Sequence, residues 1–142
     1  MRVVQFIMVN YLDREEFNRW MQNAKYTLKS ANNDKSSGFH NWACFKAQQA
    51  AEYAVKAYLR GTGKDSFGHS VSLLLKKVNF ADNIINAAKL IDKYYIPTRY
   101  TDAWAEGVPE DYFTVEEAAE AIDYSEFIID EVERKWKLLI SE

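Results

Sequence analysis

The sequence predicts an all-α protein, folded as an antiparallel up-and-down helical bundle of four long helices plus one short helix. Apolar residues recur at helical spacing through most of the chain. Glycine (5) and proline (2) are scarce among 142 residues, whereas an all-β chain needs many turns. The chain has the length of one domain, and its 48% hydrophobic residues can form a small core. We expect an N-terminal extension at residues 1–9 and the bundle domain at residues 10–142.

The first two long helices are predicted at about residues 14–32 and 39–60. Asp13 and Glu16 form a capping pattern at the start of the first helix. The apolar stripe of that helix consists of Phe17, Trp20, Met21, Ala24, Leu28 and Ala31. Small side chains line one face of the second helix, namely Ala43, Ala47, Ala50, Ala54 and Ala57. Because small side chains let neighbouring helices approach closely, we expect the second helix to be central, and we expect Gly61 to end it.

Three further helices are predicted, the first of them short. Ser70 is expected to cap the short helix. Its apolar residues are Val71, Leu74, Leu75 and Val78. The fourth helix is expected to begin with Asn79 as its cap and to end before Pro97. Its apolar stripe is Ile84, Ala88, Ile91 and Tyr95. After a loop at residues 97–113, Thr114 opens a capping box, and the last helix runs to the end of the chain.

Charge is distributed unevenly along the sequence. Residues 1–99 contain 15 Lys and Arg against 8 Asp and Glu, whereas residues 100–142 contain 3 against 13. The basic part could meet phosphates, or the two parts could neutralise each other within one bundle. The net charge of −3 argues against strong non-specific binding to duplex nucleic acid, which requires many phosphate contacts.

The sequence predicts neither a metal site nor a bound cofactor. The two histidines, His40 and His69, and the lone Cys44 have no metal-ligand spacing, and no glycine-rich phosphate loop opens a helix. The apolar segment at residues 1–9 is too short to span a bilayer, so we expect no membrane partner. We interpret Cys44 as a buried apolar residue, and a single cysteine is compatible with the cytoplasm.

One non-helical segment, Tyr94 to Trp104 ("YYIPTRYTDAW"), combines a cation, an acid and several aromatic rings. Arg99 could hold a phosphate, and Tyr95, Tyr100 or Trp104 could stack a base. Asp102 could orient Arg99 or accept a hydrogen bond from a base or ribose. The alternative is that the rings form a dimer interface, where aromatic residues are enriched.

Polar residues elsewhere are further candidates for a ligand site. Gln48 and Glu52 lie in the alanine-rich second helix, where a buried amide or carboxylate needs partners. They could link helices as a polar stitch, with Glu52 pairing to Lys56, or they could lie near a ligand groove. His69 could be a structural histidine at the start of the short helix, or it could line the site if the loop at 97–113 folds over it.

Four stretches of the chain, taken in order, resemble the HEPN family. They are "FNRWMQNAKYTLKSA", "WACFKAQQAAEYAVKAYLRGTG", "GHSVSLLL" and "IDKYYIPTRYTDAW…GVPEDYFTVEEAAEAI". The resemblance implies an antiparallel bundle that forms two-fold homodimers, with the functional cleft at or near the dimer contact. It also implies association with nucleotides or RNA and a small nucleotidyltransferase partner, often in a toxin–antitoxin pair.

Catalytic members of that family are metal-independent RNases with an arginine, a polar residue, a short spacer and a histidine. The arginine corresponds to Arg99 and the polar residue to Tyr100, while the histidine position falls at Trp104, Ala105 or Glu106. An indole cannot accept a proton, so the resemblance favours a non-catalytic nucleotide- or RNA-associated dimer. The alternatives are an endoribonuclease toxin with a displaced base such as His69, and a helical dimerisation scaffold.

Overall fold

The computed structural model describes residues 12–141, and this part of the chain is helical without a strand. The five α-helices are α1 (Arg14–Ser36), α2 (His40–Gly61), α3 (Val71–Leu75), α4 (Asp82–Asp92) and α5 (Val115–Ile140). Two 3-10 turns, Thr101–Ala103 and Pro109–Tyr112, lie in the long loop between α4 and α5. The predicted fold class is therefore confirmed. The expected N-terminal extension, residues 1–9, lies outside the described residues.

Helix α2 lies at the centre of the bundle, as its alanine face predicts. It packs mainly against α1 and α5, and it also contacts α3 and α4. The alanines of the predicted face are fully buried, namely Ala43, Ala47, Ala50, Ala54 and Ala57. Short side chains bring the backbones of neighbouring helices close together, so most of α2 is removed from water.

Side-chain caps confirm three of the predicted helix starts. Asp13 accepts a hydrogen bond from the backbone N–H of Glu16 at 3.1 Å, and Ser70 accepts one from Leu73 at 3.2 Å. Thr114 forms the predicted capping box at the start of α5. Each cap satisfies an N–H group that has no partner within its own helix, so these sequence signals fix where the helices begin.

Helix α4 differs from the prediction at both ends. It begins after Ala81, without a side-chain cap, because Asn79 lies in the turn that follows α3. It ends at Asp92, before the expected stripe residue Tyr95. The carbonyls of Tyr94 and Tyr95 accept hydrogen bonds from the side chains of Thr98 and Arg99. Those bonds stabilise the chain in a non-helical path before Pro97.

Helix α2 ends at Gly61, as predicted, but Gly61 itself does not adopt a left-handed conformation. Gly61 is the last residue within the helix, and the positive φ of 73° belongs to Gly63. Gly61 lies against the indole of Trp136, where an added Cβ would come within 2.8 Å of the ring. Its lack of a side chain therefore permits close contact between α2 and α5.

Two groups of buried side chains form the core. The larger group joins all five helices and includes Phe17, Met21 and Trp136. The smaller group lies where α2 and α5 meet the long loop, and Phe113, Tyr94 and Trp104 pack there. The second group holds the loop against the bundle and so positions the residues around Arg99.

Within residues 12–141, no helix has both the length and the apolar character needed to cross a bilayer.

Candidate functional site

The loop that carries Arg99 is tied to the bundle by buried hydrogen bonds. Thr98 is fully buried, and its hydroxyl donates to the carbonyl of Tyr94 at 2.6 Å. Asn41, at the start of α2, donates from Nδ2 to the carbonyl of Thr98 at 3.0 Å. The indole N–H of Trp104 donates to the carbonyl of Pro97 at 2.8 Å. These contacts hold the backbone on both sides of Arg99.

The guanidinium of Arg99 is surrounded by three aromatic rings. Its Cζ lies 4.1 Å from the centre of the Phe45 ring, 4.7 Å from that of Tyr95 and 4.8 Å from that of Tyr100. Its Nε and Nη2 donate to the carbonyl of Tyr95 at 3.0 and 2.6 Å. Cation–π attraction and these two hydrogen bonds fix the side chain in one orientation. We call Phe45, Tyr95, Arg99 and Tyr100 the arginine cluster.

The positive charge of Arg99 has no carboxylate partner among residues 12–141. In contrast, Arg19, Arg60 and Arg134 each bind a glutamate at 2.8 Å. Within the same residues, Nη1 of Arg99 makes no hydrogen bond, so its donors point to no protein acceptor there. A half-buried guanidinium in this state can bind an anion without first breaking an ion pair.

Tyr95 connects the arginine cluster to the polar residues of α2. The His69 ring stacks on the Tyr95 ring, with 4.9 Å between ring centres and 17° between planes. Nδ1 of His69 lies 3.2 Å from Oε2 of Glu52. Gln48 Nε2 donates to the carbonyl of His69 at 2.9 Å. Two regions that are separate in the sequence therefore form one continuous site.

Glu52 is a buried carboxylate whose charge is compensated. Its side chain is only 3% exposed, and Lys56 Nζ lies 3.0 Å from its Oε2, as the predicted pairing requires. Gln48 and Gln49 donate to its Oε1 at 3.3 and 3.2 Å. A buried charge is tolerated when it is paired and hydrogen-bonded in this way. Gln48 thus links α2 to the segment before α3, through the carbonyl of His69.

Asp92, which sequence reasoning did not identify, fixes the segment that carries His69. Its carboxylate accepts hydrogen bonds from the backbone N–H of Val71 at 2.7 Å and of Ser72 at 3.0 Å. It also accepts from the hydroxyls of Ser70 at 2.9 Å and Ser72 at 2.6 Å. Asp92 is the last residue of α4, where a negative charge is unfavourable to the helix dipole. This unfavourable position was the one feature of the sequence that could have indicated a special role for Asp92.

Two predicted site residues, Asp102 and Trp104, lie outside the arginine cluster. Trp104 stacks on Tyr112 with 4.0 Å between ring centres, and it meets Phe113 edge-on. One face of its indole and its N–H are thus engaged within the loop. Asp102 is exposed, and within residues 12–141 it forms no ion pair with Arg99. The carbonyl of Tyr95, and not Asp102, orients the guanidinium.

Phe45 was also missed by sequence reasoning, although it provides the nearest ring to Arg99. It lies on α2 outside the alanine face, and an aromatic side chain at that position was the only local indication of a role in the site.

The described residues contain no group of three or more His, Cys, Asp or Glu side chains arranged to hold a metal ion. The arrangement can therefore offer a fixed cation, aromatic faces and a carboxylate-bound imidazole.

Comparison with known proteins identifies the fold family. The family model of the HEPN domain matches residues 17–135. The crystal structure of TT1696 from Thermus thermophilus is similar, with a TM-score of 0.82 and 39% identity over 84% of this chain and 97% of that chain. No curated protein matches this chain.

Two further solved structures are similar over the same share of this chain, 84%. The first is ST0689, described as an archaeal HEPN homologue, with a TM-score of 0.74, 38% identity and 96% of its own chain covered. The second is the HEPN domain protein tm0613 from Thermotoga maritima, with a TM-score of 0.67, 32% identity and 98% of its own chain covered. From the family match and these structures together, the chain belongs to the HEPN domain family.

Proposed function

We propose that this protein is a dimeric, non-catalytic HEPN module that binds the phosphate of a nucleotide or RNA on Arg99. The observation that carries the proposal is the Arg99 guanidinium, which has no carboxylate partner among residues 12–141 and is held among three rings by the Tyr95 carbonyl. A rigid arginine loses little conformational entropy on binding, and its planar donors match phosphate oxygens. Tyr100 is 51% exposed, so its ring has a surface on which a base can stack.

Partners and location are inferred from the family. We propose a small nucleotidyltransferase as partner, in a toxin–antitoxin-like pair, and a cytoplasmic setting. Homodimer formation is supported by exposed apolar side chains around the arginine cluster. Trp42, Ile96 and Tyr100 are 44%, 49% and 51% exposed, and such a surface is typical of an interaction site. On the competing scaffold hypothesis, this surface would serve dimerisation alone.

Isothermal titration with ATP and with a short single-stranded RNA, at low salt, tests the role of Arg99. The Arg99→Ala variant is expected to weaken binding at least about tenfold, because it removes a charge-assisted contact to phosphate. The matched control is Arg134→Ala, since Arg134 is 61% exposed and paired with Glu131 on α5. Equal binding by Arg99→Ala and the unaltered protein, or binding of neither probe, would contradict the proposal.

A second function, metal-independent RNA cleavage, is favoured by the contact between His69 and Glu52. A carboxylate at Nδ1 orients the imidazole and leaves Nε2 available for proton transfer, as in other carboxylate–histidine pairs. In this reaction Nε2 accepts the proton of a ribose 2′-hydroxyl, whose oxygen attacks the adjacent phosphorus. The 5′-oxygen departs and takes up a proton, which leaves a 2′,3′-cyclic phosphate, while Arg99 stabilises the charge on phosphate.

Incubation of the pure protein with RNA in EDTA separates the two functions. We expect intact RNA, because the family histidine position falls at Trp104, Ala105 or Glu106 and no hydrogen bond joins Arg99 to His69 in the described part of the chain. Cleavage that persists in EDTA and disappears in both His69→Gln and Arg99→Ala would instead establish the ribonuclease. Cleavage that survives both substitutions would indicate a contaminating enzyme.

A further inference from the structure

A groove of about 210 Å³ lies between α1 and α2, next to the arginine cluster. Its lining residues are Tyr26, Thr27, Ser30, Phe45, Lys46, Gln49 and Tyr53. Phe45 belongs both to this groove and to the arginine cluster, because Cζ of Arg99 lies 4.1 Å from its ring centre. A ligand in the groove would therefore lie beside the Arg99 guanidinium.

The groove combines aromatic faces with the side-chain amide of Gln49. Tyr26, Phe45 and Tyr53 supply three rings, and Tyr26 is 73% exposed. Gln49 Nε2 donates to Oε1 of Gln48 at 2.8 Å and to Oε1 of Glu52 at 3.2 Å. A carboxylate requires a donor, so these contacts fix the orientation of the Gln49 amide. Its own Oε1 has no hydrogen bond within residues 12–141 and remains an acceptor.

Charges around the groove leave Arg99 as the group that can take an anion. Lys46 is the cation in the groove wall, and its Nζ binds Asp34 at 2.7 Å and Ser30 at 2.9 Å. The carboxylate of Asp34 on α1 therefore compensates the charge of Lys46. Arg99 has no such carboxylate in the described part of the chain. The site thus places a flat, aromatic surface next to the Arg99 guanidinium, which no carboxylate among the described residues neutralises.

We propose that this groove binds the base of a mononucleotide whose phosphate is held by Arg99. The inference rests on the proposed function and specifies its ligand. Aromatic rings stack on any base, whereas the Gln49 oxygen accepts a hydrogen bond from an exocyclic amine. The favoured ligands are therefore 5′-nucleotides whose base carries an amine, such as adenine.

Titration of the full chain with adenosine 5′-monophosphate, inosine 5′-monophosphate and ribose 5-phosphate tests the inference. Adenosine 5′-monophosphate is expected to bind about tenfold more tightly than ribose 5-phosphate, because only the former can stack a base. Inosine 5′-monophosphate has a carbonyl in place of the amine, so it is expected to bind more weakly than the adenosine nucleotide. The Tyr26→Ala variant should lose most of the preference for the adenosine nucleotide over ribose 5-phosphate.

Phe67→Ala is the matched control, since Phe67 is an aromatic residue that is 85% exposed and does not line the groove. It should leave all three affinities unchanged. If adenosine 5′-monophosphate and ribose 5-phosphate bind equally and Arg99→Ala abolishes both, the groove does not bind the base. The proposed phosphate site at Arg99 would then still stand. A preference for the adenosine nucleotide that survives Tyr26→Ala would also overturn it. Binding of none of the probes would overturn both proposals.

Discussion

Cys44 is buried where α2 meets the long loop and α5, and the half-buried Tyr94 packs there too. Burial raises the pKa of the Cys44 thiol to about 12, and the nearby Glu117 carboxylate adds to this effect. Burial likewise raises the pKa of the Tyr94 phenol to about 12, with smaller contributions from Cys44 and Glu117. Both groups therefore favour their neutral, protonated forms in the folded protein.

We expect the free energy of unfolding to fall as pH rises above 9.0, the ordinary pKa of a thiol. Between that pH and about 12, the folded protein keeps the proton of Cys44, whereas the unfolded chain releases it. The folded state then binds more protons, so stability falls with pH, and Cys44 contributes about 2 to 3 kcal/mol of that loss at pH 11. Urea unfolding at a series of pH values measures the slope.

The double variant Cys44→Ala, Tyr94→Phe is the comparison for this slope. It removes both titrating groups, so its stability should depend less on pH in the alkaline range. Some dependence should remain, because burial also raises the pKa of Tyr53 and Tyr58. An unchanged slope in the double variant would contradict the prediction.

At the scale of elements, the contact between α2 and α5 depends on the missing side chain of Gly61. The benzo ring of Trp136 occupies the space that a Cβ would enter, with Cζ3 at 2.8 Å and Cη2 at 2.9 Å. Trp136 is itself held by stacking on Phe17, with 4.2 Å between ring centres. The ring therefore cannot move away without disturbing the larger core.

Gly61→Ala is expected to destabilise the protein by about 1 to 2 kcal/mol. Overpacking costs about 1 to 3 kcal/mol, and the better helix propensity of alanine offsets up to about 1 kcal/mol. In a Trp136→Phe background the clashing ring atoms are absent and the 3.1 Å approach to the Cβ of Phe17 remains, so the same substitution should cost clearly less. Thermal or urea unfolding of the four proteins in this cycle measures the coupling. Equal destabilisation in both backgrounds would show that the clash is not the cause.

At the scale of the whole molecule, the charge imbalance seen in the sequence is only slightly neutralised by ion pairs. Among residues 12–141, Lys25 and Glu133, 2.5 Å apart, form the one ion pair that joins the basic first 99 residues to the acidic remainder. Each of the other ion pairs joins two residues of the same segment, as Arg60 and Glu16 do within the first 99 residues. The outer face of α5 remains acidic and exposed, with Glu116, Glu120, Asp123, Glu126 and Asp130.

The local features of the fold could be predicted from the sequence, because each depends on residues near one another in the chain. Caps at Asp13, Ser70 and Thr114 mark helix starts, and the alanine face of α2 indicates a central helix. The early end of α4 was not predictable from its stripe of apolar residues. It depends on hydrogen bonds from the side chains of Thr98 and Arg99 to the carbonyls of Tyr94 and Tyr95.

The sequence by itself determined the helices and their central member, and it singled out Arg99 as a candidate phosphate-binding residue. Only the tertiary structure decided which side chains meet it. His69 reaches Tyr95 from 26 positions earlier in the chain, and Phe45 reaches Arg99 across 54 positions. The tertiary structure also places Trp104 outside the arginine cluster and packs Gly61 against the ring of Trp136. Helical periodicity is set by the backbone, whereas contacts between distant residues depend on how the helices pack against each other.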